Sequence, residues 1–355
     1  MADLLDRPAP VRSGEELNAS ALEAYLQRNF PEASGPLAIR QYPSGHSNLT
    51  YAIQFGREDL VLRRPPFGSK VKTAHDMGRE FRVLSKLHAV YAPAPEVVAF
   101  CDDESILGAP FYLMRPIHGV ILRKNLPPAI TVSPAQALQM NRALIDNLIR
   151  LHRVDYLSAG LADLGKPEGY LARQVRGWIE RYHHSKTHEY LEIEALTAYF
   201  QQDMPATQSI ALVHNDYKFD NVVLAAEDLT KIIGVLDWEM CTIGDPLTDL
   251  GTTLAYWVDP TDAEELKQNL SDVTLQPGSL TRRQVVAHYA QQTGSDVSRI
   301  SYYLAFARFK LAVIVQQIFY RFHQGLTKDP RFAALPERVS ALLRASLHAA
   351  STNQI

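Results

Sequence analysis

The apolar residues of this chain fall in short β-type runs near the N-terminus and at helical spacing over most of the remainder. LAIRQY (37–42), LTYAIQF (49–55) and DLVLRR (59–64) are rich in β-branched and aromatic side chains. The turn-forming PSGHSN and GRED separate them, which predicts an antiparallel meander. Ahead of them Ser13 followed by Glu16 reads as a capping box, opening a helix that runs to about Phe30 before Pro31, Gly35 and Pro36 break the pattern. Residues 75–90 place Phe81, Leu84, Leu87 and His88 at helical spacing, and VVAFCD (97–102) and FYLMRP (111–116) are two further strands. Ser133 with Pro134 then starts a long helix to about Arg153, and helical patterns return at 168–203, 245–257, 281–292, 299–323 and 333–348. The strand-like exceptions are IALVHNDYKFDNVVL and KIIGVLDWEM, apolar runs that each deliver acidic or amide residues at the end. The pattern predicts an α+β chain of two lobes. Residues 1–116 form an antiparallel sheet with a leading helix and one further helix, and residues 117–355 form a mainly helical lobe.

Length and composition change this picture little. At 355 residues the chain can build two cores of its own. An apolar fraction of 46%, a charged fraction of 21% and a net charge of -3 are those of an ordinary globular protein and remove any global argument for nucleic-acid binding. No apolar segment approaches the roughly 18–20 residues needed to span a bilayer, and MADLLDRPAPVRSGEEL lacks a basic stretch followed by an apolar run. The expectation is a cytoplasmic protein without a membrane partner. Cys101 and Cys241 fit no metal-ligand spacing and read as free thiols in a reducing compartment. There is no internal repeat.

The chemistry concentrates in HNDYKFDN (214–221) and LDWE (236–239), an H-x-D-x-x-x-x-N pattern followed by a second Asp after an apolar strand. Phosphoryl transfer needs a carboxylate to orient a hydroxyl and groups that neutralise the spreading negative charge. Asp216 can accept the hydroxyl's hydrogen bond and its proton. Asn221 and Asp237 are hard oxygen donors of the kind magnesium takes, and Lys218 sits where it could reach a γ-phosphate. A lone H-x-D more often caps a turn than catalyses. Two apolar strands ending in acids, the internal spacing and the preceding β-rich lobe together favour chemistry. His214 reads as structural, and Trp238 and Glu239 as packing and loop-positioning residues.

These segments resemble the aminoglycoside phosphotransferase and choline kinase superfamily, whose fold is protein-kinase-like, over about residues 40–325. Within it VLRRPPFG (61–68), HDMGREFRVL (75–84), RLHRVD (150–155), HNDYKFDN and LDWEMCTIGDPLTDLG (236–251) are most similar to the kinase-like domains fused to, or encoded beside, acyl-CoA dehydrogenases. The resemblance implies ATP and Mg2+ as cofactors, Asp216 as catalytic base, Asn221 and Asp237 as metal ligands, and Asp249 as a buried anchor for the catalytic loop. It also implies a functional link to an acyl-CoA dehydrogenase. Kinases hold the α- and β-phosphates with a strand Lys paired to a helix Glu. Here Arg63 aligns best with the strand position, Arg64 is the weaker candidate facing the other side, and Glu80 is the natural partner. Arg can neutralise phosphate and pair with a carboxylate, though its fork is not equivalent to an ammonium. The phosphate loop PSGHSN has a single Gly, so the amides of Gly45 to Asn48 and the Ser47 hydroxyl would cradle the phosphates, with Met114 to Ile117 offering backbone to adenine; a plain hairpin turn and an ordinary interlobe linker are the alternative readings of these two stretches.

Several departures argue against a protein kinase. DWE lacks the Gly of DFG, Glu239 to Asp245 is too short for an activation segment, and the APE at 94–96 precedes the catalytic loop. The acceptor is therefore expected to be a hydroxylated small molecule held by the C-terminal helices. Residues 299–331 carry Arg299, Arg308, Lys310, Arg321, Lys328 and Arg331 against Asp329, which points to an anionic acceptor, a hydroxyacyl-CoA first. Tyr302, Tyr303, Phe306, Phe309, Phe319 and Tyr320 could line a channel there, although helical periodicity favours core packing. The alternative reading is a non-catalytic nucleotide-binding module of the same fold. A metal-dependent hydrolase would not need Arg63 and Glu80, and nothing in the chain supports flavin chemistry.

Overall fold

The three N-terminal runs pair in sequence order. β1 (Leu37–Gln41), β2 (Leu49–Phe55) and β3 (Glu58–Arg64) form the meander, and β4 (Val97–Cys101) and β5 (Phe111–Met114) complete a five-stranded antiparallel sheet in the order β1-β2-β3-β5-β4. The computed structural model describes residues 7–43, 48–67, 76–127, 130–327 and 329–355. One sheet face carries Tyr51, Ile53, Phe55, Leu60, Leu62, Phe111 and Leu113, which bury against Leu22, Tyr25 and Leu26 of helix α1 (Ala19–Asn29). Because side chains alternate along a strand, Arg64 shares the face of Leu60 and Leu62, while Arg63 points to the other side. Helix α2 (Met77–Leu87) covers that other side, opening at Asp76, whose carboxylate accepts from Arg79 N at 2.8 Å. A short α3 (Glu104–Leu107) interrupts the link between β4 and β5.

The first helix does not begin at Ser13. Asn18 is its N-cap, accepting from Ala21 N at 3.2 Å, because residues 9–17 are tied to the sheet instead. Ala9 bridges Gln41, Gln41 donates to Glu15 Oε2 at 2.5 Å, and the Tyr51 hydroxyl donates to Glu15 O at 2.7 Å. The Glu16 carboxylate is spent on Gly14 N (2.8 Å), so it cannot close a capping box.

Two compact units result. The first takes the described residues of Met1–Ile121, Leu157–Leu161 and Asn221–Met240, the last stretch being a hairpin of β7 (Val222–Ala225) and β8 (Asp228–Val235). It is joined to the segment after β5 by a bridge between Val120 and Leu224. The second unit holds α4 (Pro134–His152), α5 (Tyr170–Ser185), α6 (Glu192–Gln202), a two-stranded ladder of β6 (Ala211–Val213) with β9 (Thr242–Gly244), α7 (Pro246–Tyr256), α8 (Glu264–Asn269), α9 (Arg282–Thr293), α10 (Ile300–His323) and α11 (Leu335–Thr352). Complete capping boxes, Ser133 with Gln136 and Thr281 with Gln284, start α4 and α9. The helical pattern over 168–203 is two helices, α5 and α6.

α10 lies at the centre of the second unit, packed against α5, α7 and α11. Tyr302, Tyr303, Phe306, Phe309 and Phe319 are buried there as core, so they line no channel. Arg308 and Lys310 are buried with them, and only Arg299, Arg321 and Arg331 of the expected basic surface are exposed among the described residues. Lys328 lies outside those residues. No described helix is long and apolar enough to cross a membrane.

Candidate active site

Antiparallel pairing of Val222 with Val235 closes the open end of the β7–β8 hairpin, and Leu236 N donates to Asn221 O at 2.8 Å. Asn221 and Asp237 therefore issue from the same end of one hairpin. Asp237 adopts φ 67°, a left-handed conformation uncommon outside glycine, and its Oδ1 accepts from an Arg63 Nη at 2.5 Å. Arg63 also meets Glu80 of α2, Nε to Oε2 at 3.2 Å, as an ion pair without hydrogen-bond alignment, and approaches Glu239 Oε2 to 3.9 Å. Glu80 accepts from Trp238 N at 3.2 Å and hydrogen-bonds Tyr112. Glu239 accepts from Asn48 Nδ2 at 2.9 Å and, through its main chain, from Arg79 at 3.2 Å. Burial pushes the Glu80 carboxyl up, with Arg63 pulling it part-way back. The same burial opposes the Arg63 charge and is outweighed by Glu80 and Asp237, so the guanidinium stays ionised.

Arg64, on the other face, donates to Leu107 O at 2.9 Å and stacks on Phe67 at 3.7 Å, which leaves it no part in this cluster. Beyond β5, Arg115 N donates to Glu96 O at 2.8 Å and Pro116 has no N–H, so neither residue between Met114 and Ile117 has a main-chain donor to spare. Its side chain packs over Gly234, where a β-carbon would come within 2.8 Å of Ile117 Cδ1.

In the second unit the chain leaves β6 and turns through Asn215, at φ 66°. Asp249, fully buried in the first turn of α7, accepts from His214 N at 2.6 Å and Asn215 N at 2.7 Å. His152 Nε2 lies 3.2 Å from the same carboxylate, backed by the Tyr289 hydroxyl at 2.9 Å from Nδ1. Burial alone would raise Asp249, but His152, His214 and the main-chain donor outweigh it and hold the carboxyl below its usual range. The turn is tied from other sides as well. Thr253 Oγ1 donates to Tyr217 O (3.0 Å), the Tyr217 hydroxyl bonds Asn147 (2.8 Å) and Leu144 O (3.0 Å), and the Tyr170 hydroxyl donates to Asn215 Oδ1 (3.1 Å). Asp216 follows, with both oxygens on Lys218 Nζ at 2.9 and 2.8 Å. Tyr256, ending α7, hydrogen-bonds Asp216 and Lys218, and its ring lies 4.3 Å from the ammonium. Burial works against the Lys218 charge, yet Tyr256 and Asp216 raise it above the ordinary lysine range.

The sequence model of the phosphotransferase enzyme family matches residues 38–279, more than half of the chain. The chain belongs to that family. Acyl-CoA dehydrogenase family member 10 of Mus musculus is 32% identical over 315 residues, 88% of this chain but 29% of that protein. The chain thus spans less than a third of that relative's length. Among solved structures, a candidate aminoglycoside phosphotransferase from Ralstonia eutropha has a TM-score of 0.79 at 27% identity, covering 95% of this chain and 99% of that one. The GDP complex of aminoglycoside 2'-phosphotransferase-IIIa shares the fold, with a TM-score of 0.61 at 18% identity over 93% of this chain and 99% of the other.

In this family member, Arg63, Glu80, Asn48 and Asp237 lie in one network of contacts in the first unit, with Asn221 at the same hairpin end as Asp237. Asp216 and Lys218 contact each other in the second. Gly45 and Ser47 lie outside the described residues. Sequence reasoning missed Tyr256, although Asp249, Thr253 and Tyr256 recur at one-face spacing on α7 and all three reach the 214–218 turn. It also took Lys310 for a surface base, when two charges, Arg308 and Lys310, inside the otherwise apolar LAFARFKLAVIV are the pattern of buried ones.

Proposed function

We propose that this phosphotransferase moves the γ-phosphate of ATP, with magnesium, onto a hydroxyl of a small anionic molecule, a hydroxyacyl-CoA being the first candidate. The observation that carries the reading is the double main-chain grip of Asp249 on His214 and Asn215, which holds a left-handed turn so that Asp216 follows from a fixed backbone. Asp216 would orient the acceptor hydroxyl and take its proton as the oxygen bonds the γ-phosphorus and the bond to the β-bridging oxygen breaks, releasing ADP. Lys218 would balance the charge of Asp216 in the ground state and of the phosphoryl group in transfer. Arg63, oriented by Glu80, would meet the nucleotide phosphates, with Asn48 beside it and Met114 and Ile117 offering main chain to the base. One carboxylate and one amide at one hairpin end, Asp237 and Asn221, suit magnesium, which takes few protein ligands. When bound, magnesium neutralises charge on the phosphate oxygens. The GDP complex of the aminoglycoside 2'-phosphotransferase supports nucleotide use.

The acceptor assignment leans on the acyl-CoA dehydrogenase relative, because burial of Arg308 and Lys310 leaves a smaller basic surface than the sequence promised. The test is magnesium-dependent phosphoryl transfer to hydroxyacyl-CoAs, to the free hydroxy acids and to kanamycin-like aminoglycosides in one assay. Efficient turnover of the aminoglycoside with no response to acyl-CoA refutes the acceptor and leaves the mechanism standing. One observation favours a second reading, nucleotide binding without transfer: Arg63 spends a donor on Asp237 at 2.5 Å. Calorimetric MgATP binding with no transfer to any acceptor would select it.

A further inference from the structure

The geometry points to Lys310 as a positioning residue of the phosphotransfer site, its ammonium fixing the carbonyl of Asn215 and through that peptide the direction of Asp216. The inference rests on the reading of Asp216 as base. Lys310 sits mid-way along α10, 5% exposed, and its Nζ donates to Asn215 O at 2.9 Å with the Trp178 ring 5.6 Å away. Among the described residues no carboxylate stands within ion-pair distance of it. An ammonium taken out of water without a paired carboxylate is among the costliest burials a fold makes, and an apolar residue of similar length would pack as well. What the charge does here is hold one main-chain oxygen.

That oxygen belongs to a residue whose conformation needs holding. Asn215 has φ 66°, and three of its polar groups have partners on three different elements: its N–H on Asp249 of α7, its side-chain oxygen on Tyr170 of α5, its carbonyl on Lys310 of α10. The carbonyl is one half of the peptide that leads into Asp216, so its direction sets that of the next α-carbon. Without a donor on that carbonyl, the peptide plane is held only from its other side, by the Asp216 N–H donating to His214 Nδ1 at a long 3.3 Å, and the Asp216 carboxylate is aimed less tightly at the acceptor. A cavity of about 10 Å³, room for roughly one water, adjoins the ammonium and is lined also by Tyr170, Gln174, Thr248 and Thr252, which offers its remaining N–H groups a partner.

Burial lowers the lysine to about 8, helped by Lys218 and Arg181 and opposed by Asp216 and Asp249. The positioning charge is therefore present below about pH 8 and lost above it. The experiment measures magnesium-dependent ADP release from ATP with water as acceptor, between pH 6.5 and 9.5, for wild type, Lys310→Met, Lys310→Arg and Asp216→Asn, with thermal unfolding alongside. Wild-type kcat should fall as pH rises through about 8. Lys310→Met should be at least about tenfold slower at pH 7, with the KM for ATP within about twofold and no such alkaline limb. Lys310→Arg should regain most of the rate at pH 7 and keep it beyond pH 9. In wild type labelled at lysine Cε, one resonance should titrate near pH 8 and vanish in Lys310→Arg, a measurement that stands even where Lys310→Met does not fold. Lys310→Met turning over at the wild-type rate with the wild-type alkaline limb overturns the inference, as does the absence of any lysine titrating below pH 10. If Asp216→Asn hydrolyses ATP as wild type does, the reading of Asp216 fails instead; an inactive Asp216→Asn beside an unaffected Lys310→Met sinks the role of Lys310 alone.

Discussion

Deleting either member of the Arg63–Glu80 pair should be costly, and deleting both should be cheaper than the dearer single change. Glu80 is 2% and Arg63 13% exposed, so neither charge can turn to water. Removing one partner of a buried pair costs about 3–5 kcal/mol, whereas replacing both by apolar or neutral groups is often close to neutral. The two single variants should differ. Glu80→Gln keeps an acceptor for Trp238 N but strands a guanidinium that cannot shed its proton, leaving it Asp237 at 2.5 Å and a distant Glu239, so a cost of about 3 kcal/mol follows. Arg63→Met strands a carboxyl that burial already pushes up, and Glu80 can then simply take a proton, which limits the cost to about 1–2 kcal/mol near neutral pH. Raised above its unfolded value, Glu80 binds more protons in the native than in the unfolded state, so the penalty of Arg63→Met should shrink as pH falls towards 4.5 and grow as pH rises. The double variant should lie within about 1–2 kcal/mol of wild type, a coupling of about 2–3 kcal/mol. Urea unfolding followed by tryptophan fluorescence at pH 5, 7 and 8 reads all of this, and calorimetry with MgATP shows whether the stable double variant has lost nucleotide affinity. Additive single costs, or an Arg63→Met penalty that ignores pH, would refute the reasoning. So would tight MgATP binding by the double variant, which would make the pair structural.

Asp216→Asn should bind MgATP within about twofold of wild type by calorimetry while transfer falls by about a thousandfold or more, and retained transfer sinks the base assignment. Tyr256→Phe removes the hydrogen bonds to Asp216 and Lys218 but keeps the ring beneath the ammonium, so kcat should drop about tenfold at an unchanged melting temperature; Tyr256→Leu should drop further, and equal rates for the two would deny the ring a role. Asp249→Asn sets an NH2 against either His214 N or Asn215 N, leaves the other only a neutral acceptor, and should cost about 2–4 kcal/mol. Because the Asp249 carboxyl is held below 3.8, wild type should keep that advantage at every pH above about 4 and lose it as pH falls through the native value, so a gap in urea midpoints that closes already at pH 6 would contradict the grip.

What could be read in advance divides by how far apart the contacting residues lie in sequence. The hairpin that brings Asn221 beside Asp237 is local, and so is the alternation that sends Arg63 and Arg64 to opposite faces; both follow from patterns a few residues long. The start of α1 shows the limit of such patterns. Ser13 and Glu16 make a sound local signal, but Gln41 and Tyr51 claim Glu15, and the pull of a neighbouring strand outweighs a cap worth about 1 kcal/mol. β9, three residues long, exists only because β6 supplies its partner. The same reasoning explains Lys310. Reading a helix by its polar stripe presumes a wet side, and α10, enclosed by α5, α7 and α11, has hardly any through its middle, so its one central ammonium was counted with the exposed arginines at its ends. The bonds that reach the 214–218 turn from Asn147, Tyr170, Asp249, Thr253 and Lys310 all come from at least about 30 residues away. A motif can name the groups that do chemistry because their types are dictated by the reaction. The groups that aim them are dictated by which helix happens to pass, and such a group shows itself in sequence only where, as with a lysine inside an apolar run, its presence makes no sense for packing.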